Sequence, residues 1–119
     1  MKSIVLVEDD ESIRDIYLLS FKAGTYDIMA FENGNVIMNS EIEVPDLFIL
    51  DKQIAGTDGL ELCRFIKKSE RYKGVPVIMS SANPDIEILA KNAGADGVLT
   101  KPFSLKELRE TISDFLKQC

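Results

Sequence analysis

Four apolar runs in this chain each break off at a polar residue. Ile4-Val5-Leu6-Val7 runs into Glu8-Asp9, and Leu47-Phe48-Ile49-Leu50 into Asp51. Val77-Ile78-Met79 runs into Ser80-Ser81, and Val98-Leu99-Thr100 into Lys101. Short runs rich in Val, Ile and Leu, set between stretches of helical spacing, read as buried parallel strands. Tyr26 to Phe31 supplies a further strand. Ser12, with Asp15 three residues on, has a capping-box pattern and opens a helix to about Ala23, where Gly24 suits the stop. At about 100° per residue, Ile13, Ile16, Tyr17 and Phe21 share one face of that helix, with Ser20 between them.

The later elements follow the same rules. Asn35 to about Glu41 is a short helix poor in strong helix formers. Pro45-Asp46 precedes the strand that ends at Asp51. A loop from Lys52 to Asp58 then leads to a helix through Lys68, with Leu62, Phe65 and Ile66 on one face and Asp58-Gly59 as turn and start. Asn83-Pro84 reads as a cap followed by a first-turn proline, opening a helix to Asn92 that Gly94 breaks. The last strand ends at Lys101. Ser104 and Glu107 form a second capping-box pattern for a final helix to about Leu116. The alternation is (βα)5, an α/β fold with a parallel sheet between helices. No linker or repeat interrupts it, so residues 1–119 read as one domain.

In such sheets the ligand crevice lies outside the carboxyl ends of the strands. The polar endings therefore converge, bringing together three carboxylates, a hydroxyl and an ammonium. Glu8, Asp9 and Asp51 would repel one another unless a cation were present. Hard oxygens with room left for water and phosphate suit Mg²⁺, with Mn²⁺ as a substitute. Asp9 and Asp51 would bind the metal directly, Glu8 through a water, and Gln53 through its backbone carbonyl. Asp51 is then the nucleophile for a phosphoryl group. Lys101 would pair with one phosphoryl oxygen and Ser81 would donate a hydrogen bond to another, stabilising the charge in transfer.

Composition narrows the partners. A net charge of −6, with no clustered basic stripe, gives no footprint for direct nucleic-acid binding or an anionic membrane. No apolar run approaches the roughly 20 residues of a membrane span, and no export signal is visible. Two cysteines, Cys63 and Cys119, do not make a disulfide framework and read as reduced thiols of a cytoplasmic protein. Each site residue also has a plain structural reading. Asp51 alone is a turn former, Lys101 a solvated lysine, Ser81 a turn hydroxyl, and Glu8 to Glu11 a first-turn acidic cluster. The joint pattern outweighs these.

Taken together, the segments Ile4 to Asp10, Pro45 to Asp51, Gly56 to Gly59, Pro76 to Ala82 and Gly94 to Phe103 resemble a response-regulator receiver domain, in order and spacing, along the whole chain. The resemblance implies a flavodoxin-like sheet of strand order 2-1-3-4-5. It also implies phosphotransfer from a sensor histidine kinase or histidine phosphotransfer protein, and Glu8 and Asp9 rather than Asp10 as the acidic pair. It implies that the Ala82 backbone joins Ser81 and Lys101 at the phosphoryl group, and that Lys101-Pro102 is a cis bond turning Phe103 into the core. Several features depart from the family pattern, one being that no DNA-binding or enzymatic output region is read after Cys119. Ala55 stands where many receivers carry proline, loosening the loop after Asp51. Val98 replaces an aromatic residue whose ring moves inward on phosphorylation. Leu18 and Leu19 stand where receivers commonly carry charge, either widening a docking surface or packing on the final helix.

The resulting expectation is a stand-alone response regulator of the chemotaxis or phosphorelay type. It would catalyse only its own phosphorylation and dephosphorylation, and would act on an output protein as a monomer or a phosphorylation-linked dimer. A receiver-like interaction module without phosphorylation is the alternative. An aspartyl-phosphate phosphatase fits less well, because Lys52 and Gln53 after Asp51 supply no second carboxylate. A flavodoxin-type nucleotide binder would need a glycine-rich first turn, and here that turn is acidic.

Overall fold

The computed structural model describes residues 1–21, 24–54 and 57–116. β1 (Ser3–Val7), α1 (Glu11–Leu19), β2 (Asp27–Phe31), α2 (Asn35–Met38) and β3 (Leu47–Asp51) come first. The span expected as a loop holds an antiparallel hairpin of β4 (Gln53–Ile54) and β5 (Thr57–Asp58), which leads directly into α3 (Gly59–Lys68). β6 (Val77–Ser81), α4 (Ile86–Asn92), β7 (Gly97–Thr100) and α5 (Leu105–Leu116) complete the order. The long strands form one parallel sheet, β2-β1-β3-β6-β7. Counting only these five strands, the order is 2-1-3-4-5, the expected flavodoxin-like arrangement.

Alternation along the strands sorts the core into two layers. Val5, Val7, Phe48, Leu50, Val77 and Met79 pack with Ile37 of α2, Leu62 and Ile66 of α3, and Ile86 and Ala90 of α4. Ile4, Leu6, Leu47, Ile49, Ile78 and Leu99 pack with Tyr17 of α1 and with Leu108, Ile112 and Leu116 of α5. β3 is covered on both sides, so all five of its residues are buried.

Several helix boundaries differ from the sequence reading. The cap of α1 is Asp10, not Ser12: its Oδ1 accepts from Ser12 N (2.9 Å) and Ile13 N (3.2 Å). A carboxylate at the strand exit takes two orphan amides and favours the positive end of the helix, so it outcompetes a hydroxyl two residues on. α1 also ends early, at Leu19, where the Ser20 hydroxyl turns back to the Ile16 carbonyl. The expected end at Ala23 lies outside the described residues.

α2 stops at Met38, followed by Ser40 in the left-handed region at φ 56°. α4 starts at Ile86, because Asn83 caps a turn instead of the helix: its Oδ1 accepts from Asp85 N (2.8 Å) and its carbonyl from Ile86 N (3.1 Å). Other expectations hold. Asp58 caps α3, Gly94 adopts φ 89° after α4, and the Ser104–Glu107 box closes in both directions.

One junction is unusually tight. Gly59 N donates to the Lys52 carbonyl at 2.7 Å, and a Cβ added at Gly59 would fall 1.9 Å from the Asp51 carbonyl oxygen. Only glycine lets α3 begin there.

Candidate functional site

Strand alternation decides which polar ends meet. Glu8 follows Leu6 by two residues, and Asp51 follows Ile49 by two, so both carboxylates project toward α1 and α5. Glu8 is 1% exposed and Asp51 8%. Lys101 stands just past the end of β7 and reaches both, with Nζ 3.0 Å from Asp51 Oδ1 and 3.2 Å from Glu8 Oε1. The Lys101-Pro102 bond is cis, as expected. Phe103 is half-buried, its ring tilted 5.7 Å from that of Tyr17. Asp9 is exposed, yet one oxygen each from Glu8, Asp9 and Asp51 lie within 4.8 Å of one another.

The electrostatics record the crowding. Burial, then repulsion from Asp51, pushes Glu8 up to about 7 despite the attraction of Lys101 and a hydrogen bond from Asp10 N. Burial also works against charge on Lys101, but hydrogen bonding and attraction from Asp51, then Glu8, hold it above its ordinary value. Three carboxylates therefore share one ammonium. The donor set fits a small hard cation: converging carboxylate oxygens, one at the surface, carrying more negative charge than the lysine offsets.

Asp51 also opens onto a second space. A cleft of about 460 Å³ is lined by Asp51, Lys52, Gln53, Ser81, Ala82, Asn83, Pro84 and Lys101. The expected phosphoryl-binding residues Ser81, Ala82 and Lys101 all border it. Ser81 Oγ accepts from Asn83 N at 3.0 Å, which leaves the hydroxyl proton free to point elsewhere. Gln53 lines the cleft and pairs in register with Asp58. Asp10 takes no part in the acidic group because its carboxylate caps α1.

Other expectations resolve as follows. Val98 is half-buried beside α4, in a hollow of about 240 Å³ shared with Glu87, Ala90 and Lys91. Valine brings no ring to this position. Leu18 and Leu19 are 43% and 83% exposed, so neither is buried against α5. Cys63 is a buried free thiol, while Cys119, Ala55 and Gly56 lie outside the described residues. Among the described residues, no helix is long and apolar enough to cross a membrane.

Sequence reasoning missed Arg14, whose Nη1 donates to the Glu8 carbonyl at 2.8 Å and ties α1 to the acidic turn. A lone cation one turn into a helix that opens on four acidic residues was the available signal. It also missed Pro84 as a cleft wall, because that residue was assigned to the start of a helix.

A doubly wound parallel sheet with an acidic cluster and a lysine at its carboxyl edge defines a class of flavodoxin-like α/β protein. Within that class the chain belongs to the response regulator receiver domain family, whose model matches residues 4–113. It is 35% identical over 113 residues to a probable transcriptional regulatory protein of Picosynechococcus, covering 88% of this chain and 45% of that protein. It is 33% identical over 123 residues to the phosphate regulon transcriptional regulatory protein PhoB of Pseudomonas aeruginosa, covering 98% and 52%. The chain thus spans about half the length of these curated relatives. The crystal structure of a putative response regulator from Chloroflexus aurantiacus superposes with a TM-score of 0.88 at 27% identity, over 98% of both chains. The chain is a response regulator receiver domain, a signalling module of two-component systems.

Proposed function

We propose that this receiver takes a phosphoryl group on Asp51 from a phosphohistidine of a sensor kinase or histidine phosphotransfer protein, in a Mg²⁺-dependent reaction. The observation that carries this is the position of Asp51 between the acidic group of Glu8 and Asp9 on one side and the Ser81–Ala82–Lys101 cleft on the other. A carboxylate oxygen of Asp51 attacks phosphorus, and an acyl phosphate O–P bond forms. The P–N bond breaks, and its electron pair returns to the imidazole. Lys101 moves from pairing carboxylates to pairing a phosphoryl oxygen, and the Ser81 hydroxyl donates to another.

Glu8, Asp9, Asp51 and the Gln53 carbonyl would hold the cation, with Mn²⁺ able to replace Mg²⁺. The bound metal would neutralise charge on the phosphoryl oxygens in the transition state. The output is phosphorylation-dependent binding of a protein partner in the cytoplasm, by a monomer or a phosphorylation-linked dimer. With valine at position 98, an inward-moving aromatic ring plays no part in that readout.

The test is labelling by a small acyl phosphate with Mg²⁺. The wild-type protein should gain one acid-labile phosphoryl group, and Asp51→Asn none. Asp9→Ala should lose most of the activity along with its metal dependence. Labelling of Asp51→Asn at the wild-type level would overturn the assignment.

A further inference from the structure

Two buried hydroxyls lie on the acceptor's face of the sheet and belong to no part of the mechanism above. Ser80 is the register partner of Asp51 across the β3–β6 pair. Paired residues of neighbouring strands project to the same face, so Ser80 points with Asp51 toward α1. Tyr17 comes down from α1 onto that face. Ser80 is 1% exposed and Tyr17 2%.

The Tyr17 phenol lies close enough to Ser80 to feel its dipole, and it senses the charges of Glu8 and Asp51. Neither hydroxyl completes a hydrogen bond of ordinary geometry, and they are the only buried side-chain atoms among the described residues left so. An unsatisfied buried hydroxyl is destabilising, because it gives up its hydration and gains no bond in return. Such groups in a native protein call for an explanation, and a functional site is a recurrent one. Apolar residues would fill the same space without that cost: Ile78 and Leu99 do so on the same layer.

We propose that Tyr17 and Ser80 are positioning residues, a pair of buried donors that hold the Asp51 carboxylate from beneath while its outer face meets phosphorus. When Lys101 leaves Asp51 for the phosphoryl group, the carboxylate loses the partner it has in this structure. A donor on the neighbouring strand and another on the covering helix are placed to replace it. Both are shielded from water, so their hydrogen bonds to a charged oxygen act in a low-dielectric setting. The acyl oxygen that remains after transfer is held by the same donors. This inference rests on the phosphorylation of Asp51 proposed above.

The experiment uses the full chain, a small acyl phosphate and saturating Mg²⁺, with thermal unfolding measured in parallel. Ser80→Thr and Ser80→Val add the same bulk but differ in the hydroxyl, and Tyr17→Phe removes only an oxygen. Ser80→Val and Tyr17→Phe should slow labelling about fivefold or more at saturating donor, with the half-saturating donor concentration unchanged. Ser80→Thr should stay within twofold of the wild type. Ser80→Ala serves as a smaller probe if the added methyl disturbs folding, and should behave like Ser80→Val. Equal rates for the Thr and Val variants, or a wild-type rate for Tyr17→Phe, overturn the positioning role while leaving Asp51 as the acceptor. A wild-type protein that takes no label overturns both.

Discussion

The two faces of the sheet are built to different standards, and the two most buried tyrosines show it. Tyr72 is fully buried under the layer of α2, α3 and α4, and its hydroxyl donates to the Ile42 carbonyl at 3.3 Å. Arg71 donates to the same carbonyl and stacks over the Tyr72 ring at 5.6 Å. Tyr17, under the layer of α1 and α5, is as buried but has no completed bond. That second layer also carries Glu8, Asp51 and Ser80. Apart from Ser81 at the end of β6, the first face is satisfied and cohesive. The second holds polar groups at a net cost, and the proposed acceptor sits there, as expected where function competes with stability.

The largest expected effect lies on the satisfied face. Leu62→Ala removes a fully buried side chain and should lower stability by about 3 kcal/mol in urea unfolding. The folded variant should still be labelled at the wild-type rate. A comparable loss of labelling in the folded population would show that the two faces are not separable.

The next effect has the opposite sign. Glu8 sits near 7 against an ordinary 4.5, so the folded protein binds this proton more tightly than the unfolded chain does. Its stabilising contribution is complete below 4.5 and is lost as pH rises through 7. Glu8→Gln mimics the protonated form. Without metal, this variant should melt above the wild type at pH 8, and the two should converge as pH falls toward 4.5. Added Mg²⁺ should narrow the gap at pH 8 by stabilising only the wild type. A variant less stable than the wild type at pH 8 would mean that the Lys101 pair outweighs the burial of Glu8.

The smallest effect compares the tyrosines directly. Tyr72→Phe should cost about 1 kcal/mol for the lost hydrogen bond, whereas Tyr17→Phe should cost nothing or stabilise slightly. Equal costs in parallel thermal melts would erase the contrast.

Much of this layout was legible in the chain. Parallel strands buried on both sides appear as unbroken apolar runs, so their ends, and with them Glu8, Asp9, Asp51, Ser81 and Lys101, were marked by the first polar residue. Helix starts were less legible, because neighbouring polar residues offer alternative caps. Asp10 starts the helix two residues ahead of the expected Ser12 by taking the amides of Ser12 and Ile13, and Asn83 spends its side chain on a turn. Tyr17 was legible as a core residue of the first helix, and Ser80 as a strand ending. What made them a pair was the register of β6 against β3, which depends on two segments at once and is written in neither.

The contact at Gly59 sets how this site tolerates change. A methyl group there would have to occupy the Asp51 carbonyl oxygen, so the start of α3 and the end of β3 cannot drift apart or be altered one at a time. Substitutions along the exposed side of α3 are free to accumulate, because the helix is referenced to the acceptor at its first residue rather than along its length. In a saturation scan, position 59 should accept no residue but glycine, while Lys68 at the far end of the same helix should accept most. The acceptor is located by a missing side chain, and random substitution at that position can only add one.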